Sequence, residues 1–578
     1  MIGKKRKKQT VNCIEVNGDL TQDPEIIANG FNNYFVNVGP DLAKKIPDCN
    51  KKATDYLQNR LAGSMYFSPA TDEEVLDIIS GLKNTNSLGH DNIPNKVVKY
   101  CKSELAHIIC HIVNQSMADG VFPELLKTAK IVPVFKSEND KLVNNYRPIS
   151  ILTTFSKIFE KAVFARLGDY MEKYKILHEN QFGFRKGLST CTALLQLVDE
   201  LANSIDHGQT TVGVFVDLAK AFDTVDHRIL LQKLEHYGIR GVVLKWFNSY
   251  ISNRKQCVLV NSTISKLSNI KCGVPQGSIL GPILFILYIN DLTHVSHKLK
   301  NIMFADDTNL FLTGKSINEV ENEMNSELAK VNIWFQANLL SLNVKKTSYM
   351  IFGNSKNKTA NIYIDNILLN RQYDTKFLGV ILSANLKWNK HIDVVVSKAS
   401  KNIGIIAKVR HLLPQKLTRN LYFTLVHPYV NYCNLIWASP VKSVQLERIL
   451  KVQKKYCRLI TFSNFVEHSR PLFVRLCILN VYEIHKLLLL SHIYAITNGL
   501  TKNEYSQQYY IVNSDIHQYN TRQKNNLHIP NCRTSTKQNT ISFQGPKLWN
   551  SLPMDVRSSP SIMIFKRKVR KYLLNEVQ

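Results

Sequence analysis

Asp306 and Asp307 stand side by side inside an apolar run, Ile302-Met303-Phe304-Ala305-Asp306-Asp307-Thr308-Asn309-Leu310-Phe311. Apolar residues flanking adjacent acids predict a short β-hairpin with the two acids at its turn. Asp also suits a turn on its own account, because its side chain bonds nearby backbone, so the pair alone reads as a solvated turn. A third carboxylate changes that reading. Asp217 closes the strand-like run Val212-Gly213-Val214-Phe215-Val216 and is followed by helix-compatible residues. If the two strands lie side by side, three carboxylates meet on one spot, and such a cluster needs a cation. Mg²⁺ prefers oxygen ligands and is usually held by one or two carboxylates plus a substrate's phosphates. Two such ions about 3.5–4 Å apart can steady both the attacking and the leaving oxygen of a phosphoryl transfer. The expected site is therefore a two-metal centre on Asp217 and Asp306, with Asp307 in support.

Other segments must position a substrate at that centre. Residues 127–136 form an apolar strand studded with Lys, and Asn145-Tyr146-Arg147-Pro148-Ile149-Ser150-Ile151 follows after a polar loop. A basic hairpin over an acidic cluster is what a triphosphate lid needs, since Arg forks and Lys charges hold phosphates; a solvated surface hairpin is the competing reading. Gln181-Phe182-Gly183-Phe184-Arg185-Lys186-Gly187 combines glycines, aromatics and cations, which fits close backbone approach to a nucleic-acid strand, with aromatic faces for stacking. Phe222 stands five residues after Asp217, near enough to face a nucleotide. In Gly273-Val274-Pro275-Gln276-Gly277-Ser278-Ile279-Leu280-Gly281-Pro282, Gln276 offers a donor and an acceptor. Gly277 and Ser278 there offer backbone N–H groups at a helix entry, expected to be free for template or nucleotide contact. Residues 376–382 read as one strand whose Gly379 lets something approach.

The scaffold reads as mixed. A helix is expected near residues 26–35, and Thr71-Asp72-Glu73-Glu74 is a helix start with acids in the first turn. Ile317, Val320, Met324, Leu328, Val331 and Phe335 form a helical apolar stripe, which is core. From about Trp388 the pattern turns helical and basic, over residues 394–409, 416–425 and 446–460. Residues from about 465 onward look like a separate C-terminal region with no legible chemistry, ending in a basic helix.

The chain has 578 residues, enough for several domains, and 44% hydrophobic with 21% charged residues is ordinary globular composition. Lys plus Arg number 74 against 45 Asp plus Glu, a formal charge of +29 that points to a polyanionic partner. The 11 cysteines are scattered without a Cys-x-x-Cys pair, so neither a disulfide framework nor a zinc site is expected. No run reaches the length of a membrane span. The basic start, Lys4 to Lys8, suits a nuclear import signal, a phosphate contact or a frayed terminus.

Taken in order, these pieces resemble the successive motifs of reverse transcriptases. Ala-Phe-Asp-Thr-Val-Asp-His after Asp217, Gly-Val-Pro-Gln-Gly-Ser-Ile-Leu-Gly-Pro and Phe-Ala-Asp-Asp are similar to non-LTR (LINE-type) retrotransposon polymerases, particularly the jockey-like group. His427-Pro428-Tyr429 to Trp437 and Leu548-Trp549-Asn550-Ser551-Leu552-Pro553 also resemble that group. The resemblance implies an α+β right-hand polymerase with fingers, a palm carrying an antiparallel sheet, and a helical thumb, plus a C-terminal region. Its expected divisions are an N-terminal extension over 1–80, fingers and upstream helices over 81–211, palm over 212–387, thumb over 388–464 and the C-terminal region over 465–578. It implies two Mg²⁺ ions, with Mn²⁺ as a substitute, on Asp217, Asp306 and Asp307. It implies nucleotide contacts from Phe222, Leu218, Arg147, Lys136, Gln276 and Lys346, with Phe222 as a steric gate against a 2′-OH. Template and primer contacts are expected from Arg185, Gly277, Ser278 and Gly379.

The implied partners are an RNA template, a DNA primer and dNTPs, with no membrane and no zinc, in a retrotransposon ribonucleoprotein of nucleus and cytoplasm. Oligomeric state is not legible. The apurinic-type endonuclease that such elements commonly carry ahead of the polymerase finds no room in this sequence, so a truncated element, or one that takes its nick from elsewhere, is expected. An RNA polymerase is the first rival, but its usual Asp at the position of Phe222 is missing. A non-catalytic RNA-binding remnant is the second.

Overall fold

The computed structural model describes residues 11–575 except 17, 59, 354–358, 502–509 and 517–521. The basic start at Lys4 to Lys8 lies outside the described residues. The described residues form two five-stranded sheets, three two-stranded ones and a large set of helices.

The first sheet is built around Thr210–Val216, every residue of which is buried. Asp307–Gly314 and Ser348–Phe352 flank it antiparallel, Lys300–Phe304 lies outside the former, and the short Asn370–Arg371 joins the far edge in parallel. That parallel edge departs from the all-antiparallel sheet expected. Alternate residues face opposite ways along a strand. Val212, Val214 and Val216 accordingly enter one core with Leu310, Leu312 and Ile351, under the helices Ile317–Ala337 and Gly281–Tyr288. Phe215, Phe311, Met350 and Phe352 enter another core on the opposite face, with the helix Thr190–Asp206. Covering on both faces explains why these strands read as nearly continuous apolar runs.

The second sheet is the basic one. Thr128–Phe135 pairs antiparallel with Tyr146–Ile151 and parallel with Lys255–Val260. The helix Pro24–Ala43 closes its inner face, capped by Asp23, whose carboxylate accepts from the N–H groups of Glu25 and Ile26. Phe31 meets Tyr146 edge to face at 4.9 Å, so this N-terminal helix shares the core of the sheet.

Asn389–Val409, Gln415–Leu425, Val444–Thr461 and Ser469–Arg475 form a helical unit with its own small core. The C-terminal region does not stand apart as the sequence suggested. Helices Val481–Thr497, Ile541–Asn550 and Ile562–Asn575 share the core on the outer face of the first sheet. A buried ion pair, Lys537 Nζ to Asp199 at 2.9 Å, fastens them to the helix Thr190–Asp206. Among the described residues no helix is long and apolar enough to cross a membrane.

Candidate active site

The hairpin turn is tighter than the sequence implied. Phe304 pairs with Asp307, leaving Ala305 and Asp306 as the two turn residues, while Asp307 starts the returning strand. Ala305 takes φ +57, a conformation that a side chain adopts only when its surroundings enforce it. Part of that enforcement comes from Gln181, whose Oε1 accepts from the N–H groups of Gly183 at 2.8 Å and Ala305 at 3.2 Å. A Cβ on Gly183 would stand 2.4 Å from the Ala305 nitrogen. The glycine expected to admit a nucleic-acid strand therefore admits the hairpin backbone instead.

Thr308 lies opposite Val216 in the antiparallel ladder, so Asp217, one residue beyond Val216, emerges beside Asp307. Asp217 is fixed from its other side: its N–H donates to Thr347 Oγ1 at 3.2 Å and its carbonyl accepts from the N–H of Asn343 at 2.8 Å. Leu218 forms a bridge with Leu342 and packs toward the core. Burial raises the carboxyl of Asp306 above its ordinary range, and the negative charge of Asp217 adds to this while Arg147 and Lys136 oppose it. Burial, then the charges of Asp306 and Asp217, push Asp307 up to about 6.

Three acids thus sense one another, but they are not drawn to a point. Among the described residues no group of three or more His, Cys, Asp or Glu side chains is gathered closely enough to hold a metal ion. The donor set nevertheless fits a hard divalent cation: it is all-oxygen and anionic, and burial raises the carboxyls of Asp306 and Asp307.

A cationic wall faces these acids. Arg147 lies exposed on its strand, paired opposite Val134, and the N–H of Lys136 donates to Asn145 O at 2.9 Å. Lys346 reaches across to Glu138 at 3.3 Å, an exposed ion pair. Lys220, which sequence reasoning did not single out, stands among them. Burial lowers the proton affinity of its ammonium; Asp223 resists the change, while Lys136, Arg147 and Lys346 add to it. The only sequence signal was its place between Asp217 and Phe222.

Phe222 stacks on Phe285 with ring centroids 4.6 Å apart and planes at 28°. Its carbonyl accepts from the N–H of Val274 at 2.8 Å, tying it to the Pro-Gln-Gly loop. Gln276 Nε2 donates to both Asp223 carboxylate oxygens at 2.9 Å, and its carbonyl accepts from Ser150 N–H at 2.8 Å. Gly277, at φ +131, sits so close that a Cβ would lie 2.5 Å from Ser150 O.

The free N–H groups expected at this helix entry are largely occupied. The N–H of Ser278 donates to Pro275 O at 3.2 Å. Those of Ile279 and Leu280 donate to the buried Glu160 at 2.6 and 3.2 Å. The Ser278 hydroxyl is buried as well, donating to Pro275 O at 2.9 Å and accepting from Gly281 N–H at 2.9 Å. Gly277 here packs the loop against the basic strand, and Ser278 ties the loop to the start of the following helix.

Arg185 is turned inward, with Nη1 donating to His178 O at 2.8 Å and Gln181 O at 3.1 Å. The single strand expected over residues 376–382 is instead a hairpin, Asp374–Phe377 with Val380–Ser383. Leu378 and Gly379 make its turn at φ 45 and 82, the conformation a two-residue turn requires. What approaches Gly379 is Tyr432, whose ring would lie 3.2 Å from an added Cβ and whose hydroxyl donates to Leu378 O at 2.7 Å.

Residues 136–382 match the family model described as reverse transcriptase (RNA-dependent DNA polymerase). The chain is 28% identical over 466 residues to a probable RNA-directed DNA polymerase from transposon BS of Drosophila melanogaster, covering 77% of this chain and 50% of that protein. It is 28% identical over 447 residues to the corresponding probable polymerase from transposon X-element of the same fly, covering 75% and 49%. Against the RNA-directed DNA polymerase from mobile element jockey, also of that fly, identity is 26% over 462 residues, covering 78% and 50%. The chain thus spans about half the length of these curated relatives.

Proposed function

From a chain that carries a reverse transcriptase domain similar to those of jockey-like, non-LTR retrotransposons, we propose an RNA-directed DNA polymerase that extends a DNA primer on an RNA template. The first sheet with its carboxylates is the palm, the basic sheet belongs to the fingers, and the helices from Asn389 onward begin the thumb. The observation that carries this reading is the register that brings Asp217 up beside Asp307, at the turn holding Asp306, with Arg147 and Lys136 opposite.

Asp217, Asp306 and Asp307 would hold two Mg²⁺ ions, or Mn²⁺ in their place. When bound, these would supply positive charge for activating the primer 3′-OH and for the departing pyrophosphate. The chain's own residues do the positioning. Arg147 offers a fork and Lys136 a point charge to the triphosphate of a dNTP. Lys346 extends the same cationic wall. Phe222, stacked on Phe285, would serve as the steric gate against a 2′-OH. Gln276 and Gly277 hold the Arg147 strand to the loop that carries Phe222. Orientation and charge neutralisation account for most of the catalysis in such transfers.

Primer extension on an RNA template, with dNTPs and NTPs supplied in parallel, tests the reading. Extension with dNTPs alone supports it, and extension with NTPs alone identifies an RNA polymerase instead.

A further inference from the structure

We propose that Lys220 is a positioning residue that clamps the strand Tyr146–Ile151 over the three carboxylates, and that Tyr34 of the N-terminal helix holds Lys220 in place. The inference rests on reading those carboxylates as the polymerase centre.

Lys220 follows Asp217 by three residues and takes φ +53, the left-handed region that a side chain seldom occupies without compensation. The bend turns the side chain back across the gap between the two sheets. Its Nζ donates to Asn144 O at 3.0 Å and Tyr146 O at 3.2 Å. Those carbonyls flank the start of the strand whose second residue is Arg147. At the strand's other end, Ser150 N–H is held by Gln276 O, with Gly277 packed on Ser150. The Arg147 strand is therefore pinned twice to the loops around Asp217, once by a charge-assisted pair of hydrogen bonds and once by backbone.

The ammonium lies 5.5 Å from the centre of the Tyr34 ring, within the range at which an aromatic face attracts a cation. Tyr34 is on the helix Pro24–Ala43, which is itself fastened near the site. Asn32, buried, donates to Lys266 O at 2.8 Å and Ser268 Oγ at 2.9 Å, and its Oδ1 accepts from Gln256 Nε2 at 3.0 Å. Gly39 comes so close to the Asp223 backbone that a Cβ would lie 2.3 Å from its carbonyl oxygen. The segment read from sequence as an extension is thus built against the loop that carries Phe222.

A clamp is needed because Lys136, Arg147, Lys220 and Lys346 share one sign and repel. Two backbone carbonyls, an aromatic face and Asp223 offset that repulsion at Lys220 while the nucleotide is away. Without them the start of the Arg147 strand loses one of its two ties to the loops around Asp217.

The test uses the full chain carrying Lys220→Met, Lys220→Arg or Tyr34→Leu, read by hydrogen–deuterium exchange and by primer extension. Exchange over residues 143–151 should rise about tenfold in Lys220→Met and less in Tyr34→Leu, and stay near wild type in Lys220→Arg, while Ile317–Ala337 is unchanged. KM for dNTP should rise about tenfold in Lys220→Met with kcat within about twofold, and recover in Lys220→Arg. Unchanged exchange over 143–151, or equal acceleration there and in Ile317–Ala337, overturns the clamp. A wild-type chain that extends no primer overturns the polymerase reading instead, and the exchange data still decide the clamp.

Discussion

Asp217 emerges beside Asp307 because Thr308 is registered opposite Val216, one step along the same antiparallel ladder. A shift of one residue in that pairing would turn Asp217 to the other face of the sheet and dissolve the site. Register is secured by burial on both faces, where Val214 and Phe215 enter different cores. The chemistry therefore depends on packing some distance from the acids.

Gly183→Val should show this dependence. Any Cβ there meets the Ala305 nitrogen, so the hairpin must shift. We expect a loss of about 1–3 kcal/mol in stability, measured by denaturant unfolding, and at least a tenfold fall in primer extension. Wild-type values for both would show that the loop does not support the hairpin.

Phe222→Val removes the ring stacked on Phe285. Discrimination between dNTP and NTP, measured as the ratio of kcat/KM, should fall by about tenfold or more. An unchanged ratio would take the steric-gate role away from Phe222.

Asp223 provides a pH test. Burial pushes its carboxyl up to about 6, against the hydrogen bond from Gln276 and the charge of Lys220. A carboxyl with a raised folded-state value binds its proton more tightly in the folded chain, so its contribution to stability is full below about pH 4 and is lost as pH rises through about 6. Asp223→Asn removes that loss. The Tm of the variant relative to wild type should therefore climb between pH 4 and pH 7, and a flat difference would contradict the assignment.

Lys537→Met tests how the C-terminal helices are attached. It leaves Asp199 buried, with only neutral donors beside it, the Ser542 hydroxyl at 2.6 Å and Asn203 Nδ2 at 3.5 Å. Breaking a buried pair in this way costs about 3–5 kcal/mol, and the double variant with Asp199→Asn should recover part of the loss. A C-terminal region melting by itself, with the remainder unaffected, would show that the two do not share a core.

Much of this was legible in the sequence, and the limits have physical reasons. Residues 302–311 announced a hairpin because apolar alternation and a turn are local signals, and the helix over Ile317–Ala337 followed from its stripe. The turn within residues 376–382 was missed because Leu378, at φ 45, has no turn propensity of its own. Gly183 and Gly379 were correctly read as places of close approach, but a glycine does not say what approaches. Lys220 was overlooked for a similar reason, since a lysine on a loop normally faces water and only the tertiary arrangement turns it inward. The C-terminal region read as separate because its place in the core rests on contacts with residues far away along the chain, such as Lys537 with Asp199.

The central claim is that Asp217 and Asp306 act together as ligands for the ions that catalyse nucleotidyl transfer. Single-turnover primer extension with Mg²⁺ on an RNA template, comparing wild type with Asp217→Asn and Asp306→Asn, tests it directly. The account predicts that each variant, with its thermal unfolding within a few degrees of wild type, loses at least about 10³-fold in rate. A variant of either residue that extends primers at the wild-type rate would contradict it.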